Sequence, residues 1–114
     1  MKNDGIELEI KQKIVGLLLV LFPDAKIYLY GSRALGTHRE RSDIDLALDL
    51  GAEEDPVRLG EARSVLGATH IPYRIDLVDF HAVSPALRET ILKEGFIWNI
   101  PVTTAAQPYA GVQV

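Results

Sequence analysis

The hydropathy pattern predicts an α/β (α+β) domain, a mixed β-sheet of about four or five strands flanked by α-helices. Three observations predict it. One stretch repeats apolar residues at three- and four-residue steps. Others alternate with period two or are short and rich in β-formers. Two cap-plus-proline signals stand between them.

The elements follow in order. Ile6 to Phe22 reads as a helix, because Ile6, Ile10, Ile14, Leu17, Leu18 and Leu21 fall on one face. Glu7–Lys11 and Glu9–Lys13 are i,i+4 pairs in the favourable order, Asn3 or Asp4 is the expected cap, and Pro23 ends the pattern. Lys26 to Tyr30 is short and rich in β-formers, hence a strand, and it runs straight into Gly31-Ser32. Residues 31–42 are polar and broken by Gly31 and Gly36. Asp43 to Leu50 alternates, with Ile44, Leu46, Leu48 and Leu50 on one side and Asp43, Asp45, Ala47 and Asp49 on the other. Asp55-Pro56 opens a helix to about Leu66, and Ser84-Pro85 opens another to about Glu94, closed by Gly95. Pro72 to Phe80 is a strand, and Phe96 to Ile100 a short last one. The domain is expected over residues 1–100, with 101–114 an uncharged tail carrying two prolines.

Composition removes several classes of function. A chain of 114 residues with 47% hydrophobic content can bury one core and leaves little room for a second. There is no cysteine, which excludes disulfides, thiolate catalysis and cysteine-ligated clusters. A net charge of −4 argues against general nucleic-acid binding, which rests on phosphate neutralisation. The longest apolar run, Ile14 to Phe22, is far short of the ~20 residues that span a bilayer. Glu7 and Glu9 before it do not suit a signal peptide, so a cytoplasmic protein without membrane contact is expected.

The chemistry concentrates in Gly31-Ser32, a ten-residue gap, and Asp43-Ile44-Asp45. Alternate residues of a strand share a face, so Asp43 and Asp45 stand side by side, ~7 Å apart between Cα atoms. Two such carboxylates repel, and a hard divalent cation relieves the repulsion. Asp76 lies between apolar neighbours in Arg74-Ile75-Asp76-Leu77-Val78. If its strand lies beside Asp43–Leu50, it completes a three-carboxylate site able to hold two metals. Gly31-Ser32 at a strand end offers backbone N–H groups and a hydroxyl to a phosphate. Arg33, Arg39 and Arg41 make that loop locally basic.

Gly31-Ser32-Arg33-Ala34-Leu35-Gly36, then Ser42-Asp43-Ile44-Asp45-Leu46, then Asp76 in a later strand, resembles the nucleotidyltransferase superfamily related to DNA polymerase beta. In particular it resembles the minimal nucleotidyltransferases (MNT), small proteins encoded beside a helical HEPN protein. The resemblance covers roughly residues 6–98, with no catalytic position substituted. It implies a nucleotidyltransferase fold. It implies that Gly31, Ser32 and Arg33 bind the nucleotide, and that Asp43, Asp45 and Asp76 are catalytic and ligate one or two Mg2+ ions. Asp76 would also help activate the acceptor hydroxyl. The implied reaction is attack on the α-phosphorus of a nucleoside triphosphate, ATP first among them, with release of pyrophosphate. Some members act as antitoxins by transferring AMP to a tyrosine of the HEPN toxin.

Each feature also has a plainer reading. Asp43 and Asp45 can be solvent-facing strand residues, and Asp76 a structural acid paired with Arg74 or Arg33. Ser32 can cap a helix, a role compatible with phosphate contact. Arg39 and Arg41 can belong to a solvated loop, and Glu53-Glu54-Asp55 to a helix N-terminus. His38, His70 and His81 lack metal-ligand spacing. Tyr28, Tyr30, Tyr73 and Trp98 read as core or interface aromatics. With only a catalytic domain, base and acceptor recognition is expected to come from a partner, here a HEPN-type helical protein, or from a homo- or hetero-oligomer. Three functions follow in order of preference. They are a nucleotidyltransferase modifying a partner protein, a non-catalytic module that neutralises a partner by binding, and a transferase for a small molecule of aminoglycoside type.

Overall fold

Four strands hydrogen-bond in the order β3-β2-β1-β4 in the computed structural model, which describes residues 3–99. The elements are α1 (Leu8–Leu21), β1 (Lys26–Tyr30), α2 (Ser32–Leu35), β2 (Ile44–Asp49), α3 (Pro56–Gly67), β3 (Ile75–Asp79), α4 (Pro85–Glu94) and β4 (Phe96–Ile97). β1 pairs antiparallel with both β2 and β4, and β2 pairs parallel with β3. A parallel pair cannot be joined by a hairpin, and α3 makes the crossover. The sheet is therefore mixed, as the sequence predicts.

Strand alternation sorts the side chains into two cores. Ile27, Leu29, Ile44, Leu46, Leu48 and Leu77 face one way and are fully buried against Ile14 and Leu18 of α1 and Leu59, Ala62 and Leu66 of α3. Tyr30, Ala47 and Phe80 face the other way, where Ile91 of α4 covers them with Tyr28, Val78 and Leu87 at the margin. Tyr28 stacks on Phe80 at 5.4 Å between centroids. At ~25 cal/mol per Å2 of apolar surface, the first cluster is the larger source of stability.

Both cap-plus-proline signals hold. Asp55 accepts from Val57 N at 2.9 Å and Ser84 from Leu87 N at 3.2 Å, each with proline at the start of its helix. The first helix differs. It begins at Leu8, two residues later than expected, and its N-cap Glu7 makes no side-chain cap bond. Asn3 and Asp4 accept from Gly5 N and Ile6 N instead, so they shape the segment before the helix. β3 is shorter than Pro72 to Phe80 because its partner β2 starts at Ile44, the register mate of Ile75. Asp43 likewise sits one residue ahead of β2. The expected end of the last strand at Ile100 and the tail 101–114 lie outside the described residues. Among the described residues no helix is long and apolar enough to cross a membrane.

Candidate active site

The site is built at one end of the sheet, where β1 ends and β2 and β3 begin. Tyr30 is the register partner of Asp45, and Asp45 is the register partner of Asp76. Residues directly opposite on paired strands share a face, so these three side chains form one row. That face is the α4 face, since Tyr30 belongs to the smaller core. Asp43 lies two residues before Asp45, and Ile44 N donates to Arg74 O at 2.9 Å, which carries the pairing to the very start of β2. Asp43 and Asp45 are half-buried, and Asp76 is exposed. The apolar neighbours of Asp76 in sequence do not bury it. β3 is the sheet edge, and the row runs out to solvent there.

The electrostatics follow from this crowding. Burial pushes the Asp45 carboxyl above the usual carboxylate range, and the charges of Asp76 and then Asp43 push it further. The Tyr30 phenol is pushed up to about 12 by burial, then by Asp76 and Asp45. Among the described residues no cation pairs with any of the three acids, so the suggested pairing of Asp76 with Arg74 or Arg33 does not form. A half-buried carboxylate held beside two others is what a hard cation stabilises. Among the described residues no three Asp, Glu or His side chains are gathered closely enough to hold an ion alone. The donor chemistry fits magnesium in its common form, one or two carboxylates completed by substrate phosphates and water.

Gly31 closes the row from above. Its φ is +75°, and a Cβ added there would run into Asp45 Oδ2. Only glycine can follow Tyr30 and turn the chain so close to that carboxylate. The turn opens the single-turn helix α2 at Ser32, with Ala34 N and Leu35 N both donating to Gly31 O at 3.1 Å. The first N–H groups of such a helix lack intrahelical acceptors and lie next to the carboxylate row. Gly31, Ser32, Asp43, Asp45 and Asp76 are thus brought to one end of the sheet.

Arg33 is turned into the protein instead. It was expected at the nucleotide, yet it is 1% exposed and its guanidinium nitrogens donate to the carbonyls of Ser42, Asp4 and Glu40. Arg39 and Arg41 are the exposed cations of this loop.

The sequence reading also missed two polar features. Tyr30 reads as a core aromatic, yet its phenol lies in the field of the acids. Only the strand register shows this. At the far end of β2, His81 Nε2 meets Asp49 Oδ1 at 2.6 Å. Burial alone would raise the Asp49 carboxyl, but the Gly51 N–H and His81 outweigh it and hold the group below its usual range.

Residues 23–98, which include every residue of this site, match the family described as Polymerase beta, Nucleotidyltransferase. A Haemophilus influenzae protein named "Probable protein adenylyltransferase MntA" is 29% identical over 94 residues, 82% of this chain and 82% of that protein. A solved toxin–antitoxin with AMP-PNP holds a chain 30% identical to this one, with a TM-score of 0.67 over 77% of this chain and 71% of that one. The structure of a tri-AMPylated Shewanella oneidensis HEPN toxin in complex with MNT antitoxin holds another. It is 26% identical, with a TM-score of 0.64 over 82% of this chain and 71% of that one. A family match over residues 23–98 covers the glycine-serine turn and all three aspartates, and the chain belongs to the Polymerase beta nucleotidyltransferase family.

Proposed function

We propose that this protein is a magnesium-dependent protein adenylyltransferase that moves AMP from ATP onto a side chain of a HEPN-type helical partner, as the antitoxin of such a pair. The observation that carries the reading is the register pairing of Asp45 with Asp76 beneath Gly31, with Asp43 two residues away. It is supported by the name of the Haemophilus influenzae relative and by the solved complexes that hold AMP-PNP and an AMPylated HEPN toxin.

In this reading Gly31 and Ser32 bind the triphosphate through backbone N–H groups and the serine hydroxyl. Asp43 and Asp45 would hold magnesium, with Asp76 completing the set, and the charge it supplies when bound neutralises the triphosphate oxygens. Asp76, exposed at the sheet edge, is the acid open to an incoming acceptor, and it takes the proton from the acceptor hydroxyl. The new bond joins the acceptor oxygen to the α-phosphorus. The bond that breaks is the one from the α-phosphorus to the bridging oxygen, and pyrophosphate leaves with its electron pair. The residues act chiefly by alignment and by charge placement.

The test is transfer of label from α-labelled ATP in a lysate of the host, with magnesium. The expected result is one labelled protein band with the wild type and none with the Asp43→Asn, Asp45→Asn double variant. No band with any of the four nucleoside triphosphates would transfer the assignment to a module that acts by binding alone.

A further inference from the structure

A guanidinium buried without a carboxylate partner is costly unless other groups replace its water. Arg33 meets that requirement from three directions. Nε donates to Ser42 O at 3.0 Å, Nη1 to Asp4 O at 2.7 Å and Nη2 to Glu40 O at 3.2 Å. Its Cζ lies over the ring of Tyr73, 4.7 Å from the centroid. Charge-assisted bonds to carbonyls and the aromatic quadrupole together take the place of solvent.

The carbonyls are not arbitrary ones. Glu40 and Ser42 form the turn that leads directly into Asp43. The turn is closed on itself by Ser42 N donating to Arg39 O at 3.1 Å and Arg39 N to Ser42 Oγ at 2.8 Å. The third carbonyl, of Asp4, comes from the segment before α1. That segment is itself tied down, by Trp98 Nε1 donating to Asp4 Oδ2 at 3.1 Å and by Tyr73 OH donating to Glu7 Oε1 at 2.8 Å. It also lies close against the loop, since Gly5 has φ +73° and a Cβ there would run into the His38 ring and crowd Arg33 Nη1. One side chain therefore joins the segment before α1, the loop before β2 and the approach to β3.

We propose that Arg33 is a positioning residue for Asp43. It touches no nucleotide, and by gathering the carbonyls of Asp4, Glu40 and Ser42 it fixes the height at which Asp43 enters β2 beside Asp45. The proposal rests on the assignment of Asp43 to the site under Proposed function. It explains why an arginine stands here. Three carbonyls approach a planar fork from three sides, and a lysine ammonium is a single point that cannot reach all of them. It also separates the cations of this loop by role, leaving only Arg39 and Arg41 on the surface.

The test compares Arg33→Lys with wild type in the full chain, using one structural and two kinetic readouts. Amide hydrogen exchange at Arg39 and Ser42 should quicken about tenfold or more, because local opening becomes easier. The magnesium concentration for half-maximal AMP transfer should rise about threefold or more, while KM for ATP stays within about twofold. A general loss of folded protein lowers kcat but does not move the magnesium requirement. If Arg33→Lys does not fold, Gly5→Ala gives the same readouts. It crowds the His38 ring and Arg33 Nη1 and so loosens the same gathering of carbonyls while keeping the guanidinium, and faster exchange at Arg39 and Ser42 is again expected. Unchanged exchange at both amides in the folded variant would overturn the proposal. So would a raised KM for ATP with an unchanged magnesium requirement, since that marks direct nucleotide contact. Asp43→Asn is the control for the underlying reading. Wild-type transfer by that variant would remove the reaction assigned to Asp43, and the exchange result for Arg33 would still stand as a statement about the loop.

Discussion

Asp45 and Asp76 oppose each other directly across the parallel pairing of β2 and β3, with no cation paired to either among the described residues. The fold thus holds two carboxylates side by side at a strand end, and a third at Asp43 adds to the field on Asp45. Such an arrangement costs folding energy, and positive charge bound beside it would relieve the cost.

The cost can be measured. The Asp45 carboxyl is raised in the folded state, so the native protein binds a proton there more tightly than the unfolded chain does. Its contribution is favourable below the unfolded value near 3.8 and is lost as pH rises through the folded value. At neutral pH Asp45→Asn should therefore raise Tm of the metal-free protein by about 2–4 °C while abolishing transfer. Scanning calorimetry with and without magnesium checks this, and the advantage should shrink when magnesium and ATP are added.

Gly31→Ala should be damaging for two separate reasons. The backbone at φ +75° disfavours any side chain, and the new Cβ would displace the Asp45 carboxylate. A loss of about 1–3 kcal/mol in stability is expected from the backbone alone. Transfer should fall about a hundredfold or more, as a misplaced reacting group does. Urea unfolding and labelled-AMP transfer measure the two effects independently.

At the other end of β2, Asp49 has the opposite sign. Its carboxyl is held below the usual range, so the stability it supplies is present above the unfolded value near 3.8 and is lost as pH falls through the folded value. Asp49→Asn should lower stability at pH 7 by about 0.5–1.5 kcal/mol through the bond to His81 and the Gly51 N–H. Urea midpoints should converge for variant and wild type under acid conditions. Transfer at pH 7 should be unchanged, because the pair stands at the opposite end of the strand.

Tyr30 offers a spectroscopic check on the row. Its phenol is pushed up to about 12 by burial and by Asp76 and Asp45, so it stays neutral at every ordinary working pH. Ultraviolet titration should find one tyrosine that ionises only in strong alkali and disappears in Tyr30→Phe. Asp76→Asn should bring that titration down, since one of the charges opposing ionisation is removed.

Local signals in the sequence carried much of this. Asp55 and Ser84 announce their helices because a cap bond spans only two or three residues. The alternation from Ile44 to Asp49 assigns faces correctly because one side is wholly buried. The pairing of Asp45 with Asp76 was open, since a parallel register is set by packing across α3 and no local rule fixes it. The burial of Arg33 was hidden for the same reason. A cation in a polar loop looks free until the carbonyl of Asp4, 29 residues away in sequence, is brought to it. Asp4 was misread as a helix cap because its side chain is taken by Ile6 N and the distant Trp98 indole.

The central claim is that the aspartate row transfers AMP to a protein. Intact-mass spectrometry of a purified HEPN-type partner, incubated with this protein, ATP and magnesium, tests it most directly. The account predicts a partner heavier by whole AMP units with wild type and an unmodified partner with Asp76→Asn. An unmodified partner in both reactions, with the partner still neutralised, would contradict it.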